Sequence, residues 1–586
     1  MSENTDIVDH ISNLLDNGIY KEALNALHEE RFANSFKDKC WDLIAVVIGK
    51  IQDDTIIIKP SLYGACEQLL TNIIEKSIPE EALLELIEQI ELAKNDAQFG
   101  IILLPLQELL KGLNVKMRRS LEWCLNSIST YIEKIPVTDY QLEERERLLM
   151  DADSNVRRIT KVYSTLPSFY RPFIDQINVS NDNNNLRTKQ IIVAFLISLL
   201  GKPLIYVDLD PEINEQSEAR LNCATIIQDI CALEKNAFKF IEYVEVCNRE
   251  SLKKNTDKDD NEETKTPYDH REKINMTTIS AMFYVILSGH FIVPDNLIPQ
   301  VYSLDYLINT TMLCSNHLLG FTAYGPLSKG IALSKAILNR CPSKMSHKFC
   351  SPIQANMCKI LVNIAIYSNY KSIRKEAVDI IGNLVNKFDY KGRCVLVKYL
   401  IEISNHSGMI GYAITLYKNS LNEAFSESKL DECFTGLHLT SMLKKICLLP
   451  HGAESDLVEL ADQIITALNL LRYLVMRDKN NQTGIRDNFT FIENDYLEKL
   501  RIGLNMSKAH YEEKLKEIEE GRDVIGEKNN VTLNVGGNIL DNIPKENKKE
   551  IICSAMNAFH LIEGLIAHLS ECINVQKLHG LRMNQD

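Results

Sequence analysis

Three apolar segments in residues 79–135 decide the fold: PEEALLELIEQIELA (79–93), IILLPLQELLKGL (101–113) and VKMRRSLEWCLNSISTYIEKI (115–135). The first begins with Pro79 and two glutamates, which are typical of a helix N-terminus because proline and acidic groups both favour that end. Only a few residues separate each segment from the next. This succession predicts antiparallel helical pairs that stack side by side.

Apolar residues in the first and third segments recur every three or four positions, which is their spacing along one face of an α-helix. The buried stripe predicted for the first segment consists of Leu84, Ile87, Ile90 and Leu92. The stripe predicted for the third consists of Leu121, Cys124, Ile128 and Ile132. One buried face per helix is what packing in layers requires.

The composition extends this interpretation to the whole chain. Its 586 residues exceed the roughly 250–300 that one compact core supports. It has 24 glycines and 16 prolines, and this scarcity of turn residues favours long helices over many short strands. The tetratricopeptide, ankyrin and leucine-rich signatures do not occur. The predicted fold class is therefore all-α, an irregular HEAT/armadillo-like helical repeat, or α-solenoid.

Three polar stretches interrupt the helical pattern. Residues 250–273 are almost wholly charged and cannot bury enough apolar area to offset chain entropy, so we expect a flexible loop there. Residues 177–189 are rich in Asn and Asp, and residues 521–549 contain Gly-Gly and VTLNV, which predicts a short strand or loop. The predicted organisation is an N-terminal array (1–249), the charged loop and a partner-binding C-terminal array (274–586).

Charge and cysteine usage narrow the function. The net charge of −14 disfavours nucleic acid as a ligand, since binding to phosphates needs a cationic surface. The apolar run 191–201 is shorter than a bilayer requires, so we interpret it as a buried core helix and expect no membrane partner. The polar start and fifteen cysteines without C-x-x-C fit a reducing compartment. We expect a cytoplasmic location and leave the nucleus open.

The sequence contains no residue constellation that indicates catalysis. Phosphate-binding glycine loops are absent, and the segment Gly325–Gly330 resembles a nucleophile elbow by its letters only. Four potential zinc ligands, Cys341, His347, Cys350 and Cys358, are separated by gaps that do not suit a compact zinc loop. Buried cysteines that act as small core residues are the favoured interpretation. We therefore expect no enzyme activity, no metal and no cofactor.

Two long helices near the C-terminus carry a polar face beside an apolar one. In residues 452–480 the apolar stripe is predicted to consist of Leu457, Leu460, Ile464, Leu468, Leu471 and Val475. In residues 491–519 it is predicted to consist of Leu497, Leu500, Leu504, Tyr511, Leu515 and Ile518. Their polar faces are mildly cationic and contain Tyr, Arg and Asn, which suits protein recognition, although a merely solvated surface has the same pattern.

Four strings resemble the glomulin family of immunophilin-associated proteins: NHSGMIGYAI (405–414), LLPHGAESDL (448–457), ALNLLRYLVMRDKNNQTG (467–484) and LRIGLNMSKAHYEEKL (500–515). Their order and spacing match as well, and the clear resemblance covers about residues 390–580. The resemblance implies a HEAT-like fold. It also implies a non-catalytic inhibitor that binds the RING subunit of cullin-RING ubiquitin ligases and masks the surface where the ubiquitin-conjugating enzyme docks.

The resemblance places this binding in the C-terminal part and links the family to cullins, an immunophilin and a receptor tyrosine kinase. Helix geometry within the matching strings selects candidate partner-binding residues: Arg472, Tyr473, Arg477, Asn505, Lys508 and His510. Asn405 and His406 are further candidates as turn residues, although their tetrapeptide suits a helix cap better. The alternative function is a helical-repeat scaffold or adaptor for other intracellular proteins.

Overall fold

The computed structural model describes residues 6–113, 117–137, 142–179, 185–242, 273–294, 297–298, 301–519, 534–535, 538–539 and 545–583. These residues are mostly α-helical. In chain order the α-helices are α1 Ile7–Asp16, α2 Tyr20–Ala26, α3 Ala33–Gly49, α4 Thr55–Ile58, α5 Pro60–Lys76, α6 Pro79–Leu92, α7 Asp96–Gly112, α8 Met117–Glu133, α9 Ser154–Val179, α10 Asn185–Leu199, α11 Glu218–Leu233, α12 Met276–Leu287, α13 Leu304–Leu319, α14 Tyr324–Arg340, α15 Pro352–Tyr367, α16 Lys371–Asn386, α17 Tyr390–Ile403, α18 Ser407–Ala424, α19 Gly436–Ile446, α20 Ala461–Arg477, α21 Phe489–Phe491, α22 Glu498–Glu519 and α23 Lys545–Met583.

Short elements of other kinds lie between these helices. A π-helical turn, Ile492–Leu497, leads into α22. The 3₁₀ segments are Glu30–Phe32, Glu144–Ala152, Leu204–Tyr206, His347–Phe349, Glu432–Phe434, Gly452–Glu454 and Ile485–Asn488. Strands β1 (Asn534–Val535) and β2 (Asn538–Ile539) pair antiparallel, which confirms the short strand predicted within 521–549.

Local sequence explains where several helices begin. The side chains of Asn95 and Asp389 accept hydrogen bonds from backbone amides in the first turns of α7 and α17. Pro60, Pro79 and Pro352 stand in the first turns of α5, α6 and α15, where a missing N–H costs nothing. The helix start predicted at Pro79 is confirmed.

Helix packing confirms the predicted all-α helical-repeat class. Helix α6 packs on α3, α7 and α8, so it buries a wider face than one stripe. The stripe predicted for α6 is wrong in part, because Leu84 and Leu92 are 57% and 58% exposed while Leu83 and Leu86 are buried. The stripe predicted for α8 is confirmed, since its residues Leu121, Cys124, Ile128 and Ile132 are all buried.

Contacts divide the chain into two compact units. The first extends to Asn339 and includes Tyr370–Ile373, and the second comprises Arg340–Asn369 and the chain from Arg374 onward. The division thus falls near Arg340, whereas the predicted boundary was the charged stretch 250–273. Residues 250–272 lie outside the described residues, so the predicted loop and the arrays 1–249 and 274–586 stay predictions. The break predicted at 177–189 is wrong in part, because residues 177–179 belong to α9 and residues 185–189 to α10, and residues 180–184 lie outside the described residues.

Two helical stretches are long and apolar enough to cross a bilayer, judged by length and composition alone. The first, Leu186–Tyr206, has 78% of its apolar window buried, and α10 within it packs on α8, α9, α11 and α12. This burial confirms the run 191–201 as part of a core helix. The second, Lys549–Leu578, belongs to α23 and has 33% of its window buried. Helix α23 packs on α20 and α22 within the second unit.

Candidate partner-binding site

Helices α18 and α20 run side by side in the same direction. At their N-terminal ends the backbone N–H of Gln463 donates to Ser407 Oγ over 2.9 Å, and near their C-terminal ends Tyr473 contacts Asn422. Gly411 allows the close approach, because a Cβ at that position would lie 3.1 Å from Thr466 Oγ1. The two helices therefore form one continuous two-helix face.

Five side chains on this face form a group that we call the Tyr473 cluster: Lys418, Asn422, Phe425, Tyr473 and Arg477. The Tyr473 hydroxyl donates to Asn422 Oδ1 over 2.7 Å, and the rings of Tyr473 and Phe425 meet edge to face with centroids 6.5 Å apart. Lys418 Nζ lies 5.6 Å from the Tyr473 ring centroid, and the Arg477 guanidinium lies 6.0 Å from that of Phe425. Each cation thus lies within cation–π distance of one ring.

The electrostatics of the Tyr473 cluster suit an anionic or polar partner. Partial burial raises the pKa of the Tyr473 hydroxyl, and the neighbouring Arg477 opposes part of that shift. The hydroxyl therefore stays protonated at neutral pH and keeps its donor. Among the residues that the structure describes, neither Lys418 nor Arg477 forms an ion pair. Both side chains can therefore pair with a carboxylate of a partner protein. Arg and Tyr of this kind dominate binding energy at many interfaces.

The three candidates predicted on α20 lie together. Tyr473 and Arg477 belong to the Tyr473 cluster, and Arg472 is half-buried beside Tyr473. The apolar stripe predicted for this helix is largely confirmed: Ile464, Leu468, Leu471 and Val475 are buried in the core. The polar candidates consequently face away from the core.

The three candidates predicted on α22 face a different neighbour. Lys508 forms an ion pair with Glu563 of α23, so its ammonium is already engaged within the chain. Asn505 and His510 are exposed, and the His510 ring touches the Tyr511 ring edge with centroids 5.8 Å apart. No described contact joins these residues to the Tyr473 cluster, so the structure does not gather the six helix candidates into one group.

Asn405 and His406 lie in the turn between α17 and α18, as their sequence predicts. His406 stands at the N-cap of α18, but its side chain makes no capping bond, and its own N–H donates to Ser404 Oγ over 3.2 Å. Asn405 is exposed and lines a cleft of about 520 Å³ between the ends of α17, α19 and α20. The capping role expected of the tetrapeptide 405–408 is thus not performed by these two side chains.

The half of the Tyr473 cluster that lies on α18 was not predicted from the sequence. Lys418, Asn422 and Phe425 are spaced by four and three residues, which is the spacing of one helix face. That signal was present in the sequence. The contact of these residues with Tyr473 could not be predicted from the sequence, because Asn422 and Tyr473 are 51 residues apart and only the packing of α18 on α20 brings them together.

The two motifs weighed for catalysis have structural roles. Gly325–Gly330 lies within α14, where Ser328 Oγ donates to the Gly325 carbonyl at 2.9 Å, so no strand-to-helix elbow exists there. Of the four potential zinc ligands, Cys341 and Cys358 are buried, and His347 Nδ1 lies 3.1 Å from Asp389. Within the described part of the chain no group of three or more His, Cys, Asp or Glu side chains could hold a metal ion.

Fold and surface together define a helical-repeat scaffold protein. Comparison with known proteins shows similarity to glomulins. Human glomulin is 28% identical over 585 residues, covering 96% of this chain and 92% of its own, and mouse glomulin is 26% identical over the same shares. A family model described as "Uncharacterised protein family, YAP/Alf4/glomulin" matches residues 342–546. The resemblance to the glomulin family is thereby confirmed, and it extends well beyond residues 390–580.

Solved helical-repeat structures also match, at low TM-scores. A circular tandem repeat protein gives a TM-score of 0.19 at 9% identity, covering 99% of this chain and 98% of its own. A structure of a tubulin-recruiting microtubule polymerase with TOG domain arrays gives 0.18 at 12% identity, covering 92% and 97%. The fold assignment rests on the helix packing described above.

Proposed function

We propose that this chain binds the RING subunit of cullin-RING ubiquitin ligases, and through it cullins, and masks the surface that receives the ubiquitin-conjugating enzyme. The observation that carries the proposal is the Tyr473 cluster, an aromatic and cationic face inside the segment 342–546 that matches the family. The similarity to glomulin over 96% of the chain supports it.

The physical form of the site suits inhibition by occlusion. Helices α18 and α20 hold the cluster through buried stripes and a hydrogen bond between Tyr473 and Asn422, so little conformational entropy is lost on binding. A standard interface needs about 800 Å² from each partner, which one helical face can supply. Such an inhibitor competes sterically and performs no chemistry.

The experiment is a reconstituted ubiquitin-transfer assay with the purified full chain. Lys418→Glu together with Arg477→Glu is expected to raise the concentration for half-inhibition at least tenfold, because two such contacts contribute on the order of 1.4 kcal/mol or more. Lys508 is left unchanged, because a Lys508→Glu substitution would place two carboxylates together at Glu563.

A matched control reverses two exposed lysines elsewhere in the second unit, Lys359→Glu on α15 with Lys375→Glu on α16. It changes the net charge equally and should inhibit like the wild type. Equal inhibition by both double variants would refute the assigned surface. No inhibition by the wild type, together with recovery of other intracellular proteins but no RING subunit, would favour the adaptor alternative. Contacts with an immunophilin or a receptor tyrosine kinase stay predictions of the resemblance.

A further inference from the structure

Two cysteines from separate segments meet inside the second unit. Cys394 belongs to α17 and Cys433 to the 3₁₀ turn Glu432–Phe434, and their Sγ atoms lie 3.6 Å apart. Both side chains are half-buried free thiols. A disulfide has an S–S bond of about 2.05 Å, so the two sulfurs need to approach by only about 1.5 Å.

A buried tyrosine lies close enough to this pair to be influenced by its charge. Tyr417 of α18 is 1% exposed, and its hydroxyl has no hydrogen-bond partner among the described residues. Burial raises the pKa of this hydroxyl well above its ordinary value, and the two neighbouring sulfurs raise it further. A buried hydroxyl without a partner is costly, and the Tyr417 hydroxyl donates to neither sulfur of the reduced pair.

We propose that Cys394 and Cys433 form a reversible dithiol–disulfide site that is oxidised by exchange with a low-molecular-weight disulfide such as oxidised glutathione. The site is independent of the proposed ligase binding. The potential zinc ligands Cys341 and Cys358 are buried, whereas Cys394 and Cys433 are half-buried.

The exchange balances in two steps. The Cys394 thiolate attacks one sulfur of the small disulfide, an S–S bond breaks, and the first small thiolate leaves. Cys433 then transfers its proton to the small thiolate already released and attacks Cys394 Sγ, which forms the protein disulfide and releases the second small thiolate, and this thiolate takes up a proton from water. Two protein thiols are oxidised while one small disulfide is reduced to two small thiols.

The surroundings assign the order of attack. The pKa of Cys433 is raised well above the usual thiol range by the contact with Cys394, by burial and by the neighbouring Asp431. Cys433 is therefore the thiol that remains protonated during the first step. Cys433 lies in a short turn before α19, and this turn is the segment that moves when the two Sγ atoms approach to bonding distance.

The test treats the full chain with oxidised glutathione, blocks the remaining thiols and digests the protein for mass spectrometry. The expected main product is one cross-linked peptide pair, Cys394 to Cys433, lighter by two hydrogen atoms and restored by a dithiol reductant. Cys394→Ser should abolish the cross-link, whereas Cys572→Ser, a half-buried cysteine on α23, should leave it unchanged.

Glutathione adducts on separate cysteines without the cross-link would overturn the proposal. Random pairing of Cys394 with many other cysteines would overturn it equally, because it would show that the 3.6 Å approach does not select a partner.

Discussion

The hydroxyl of Tyr473 donates to Asn422 Oδ1 over 2.7 Å, and this bond holds the tyrosine ring beside the ammonium of Lys418, with Arg477 close enough to lower the pKa of the hydroxyl. The ring is therefore held in place before any partner arrives. Holding an aromatic anchor in its binding orientation reduces the entropy that association costs. The same bond also contributes to the packing of α18 on α20.

Tyr473→Phe and Tyr473→Ala separate these two roles. Phe keeps the ring and loses one half-exposed hydrogen bond, so it should lower the free energy of unfolding by about 1 kcal/mol or less and weaken binding slightly. Ala removes the ring and should weaken binding by about 2 kcal/mol if Tyr473 is an anchor. Titration with the RING subunit and thermal melting measure both effects, and an Ala variant that binds like the wild type would exclude the anchor role.

The sequence predicts the class of fold well because helix periodicity is a local signal. It predicts the stripe of α20, where Ile464, Leu468 and Leu471 are buried. It fails at Leu84 and Leu92, since the face that α6 buries depends on where its neighbours lie. The spacing of apolar residues within one helix contains no information about where the neighbouring helices pack.

The candidate site was predictable only in part, for a related reason. Tyr473 and Arg477 follow from the polar face of their own helix. Lys508 has the same appearance in the sequence, yet Glu563, 55 residues later, neutralises it. Whether a cationic side chain is available to a partner depends on contacts with residues that are distant in the sequence. The pattern of a single helix does not predict such contacts.

Gly325 and Gly64 form a matched pair for testing helix packing in the first unit. A Cβ on Gly325 of α14 would lie 2.3 Å from the Tyr206 carbonyl oxygen, a backbone atom that cannot easily move. Gly325→Ala should therefore lower the free energy of unfolding by about 1–3 kcal/mol. Gly64 of α5 has open space around it, so Gly64→Ala should raise the free energy by about 0.5–1 kcal/mol. Melting temperatures that shift the same way in both variants would contradict this packing.

Lys329 of α14 is buried, and its ammonium donates to the carbonyls of Ile205 and Val207 over 2.8 and 2.6 Å. Lys329→Met should lower the free energy of unfolding by about 1–3 kcal/mol, because these carbonyls lose their donor. Burial also lowers the pKa of Lys329 from 10.5 to about 8, although Asp208 nearby opposes the shift.

This lowered pKa predicts a specific pH dependence. Between about pH 8 and 10.5 the unfolded chain holds a proton on Lys329 that the folded chain lacks, so unfolding takes up a proton and becomes harder as the pH rises. The melting temperature of the wild type minus that of Lys329→Met should therefore increase across this window. A difference that stays flat would mean that the folded lysine titrates at its ordinary pKa.

Lys508 and Glu563 should behave as a charge pair that holds α22 on α23. Their contact lowers the pKa of Glu563, so its stabilising effect is present above the ordinary pKa of a glutamate and is lost as the pH falls through the lowered value in the folded chain. Lys508→Glu should place two carboxylates together and increase amide hydrogen exchange in α22, whereas Lys508→Glu with Glu563→Lys should restore protection. The effect should stay below about 1 kcal/mol because Glu563 is exposed. If the swapped pair exchanges as fast as the single variant, the contact is not electrostatic, and Lys508 becomes available to a partner after all.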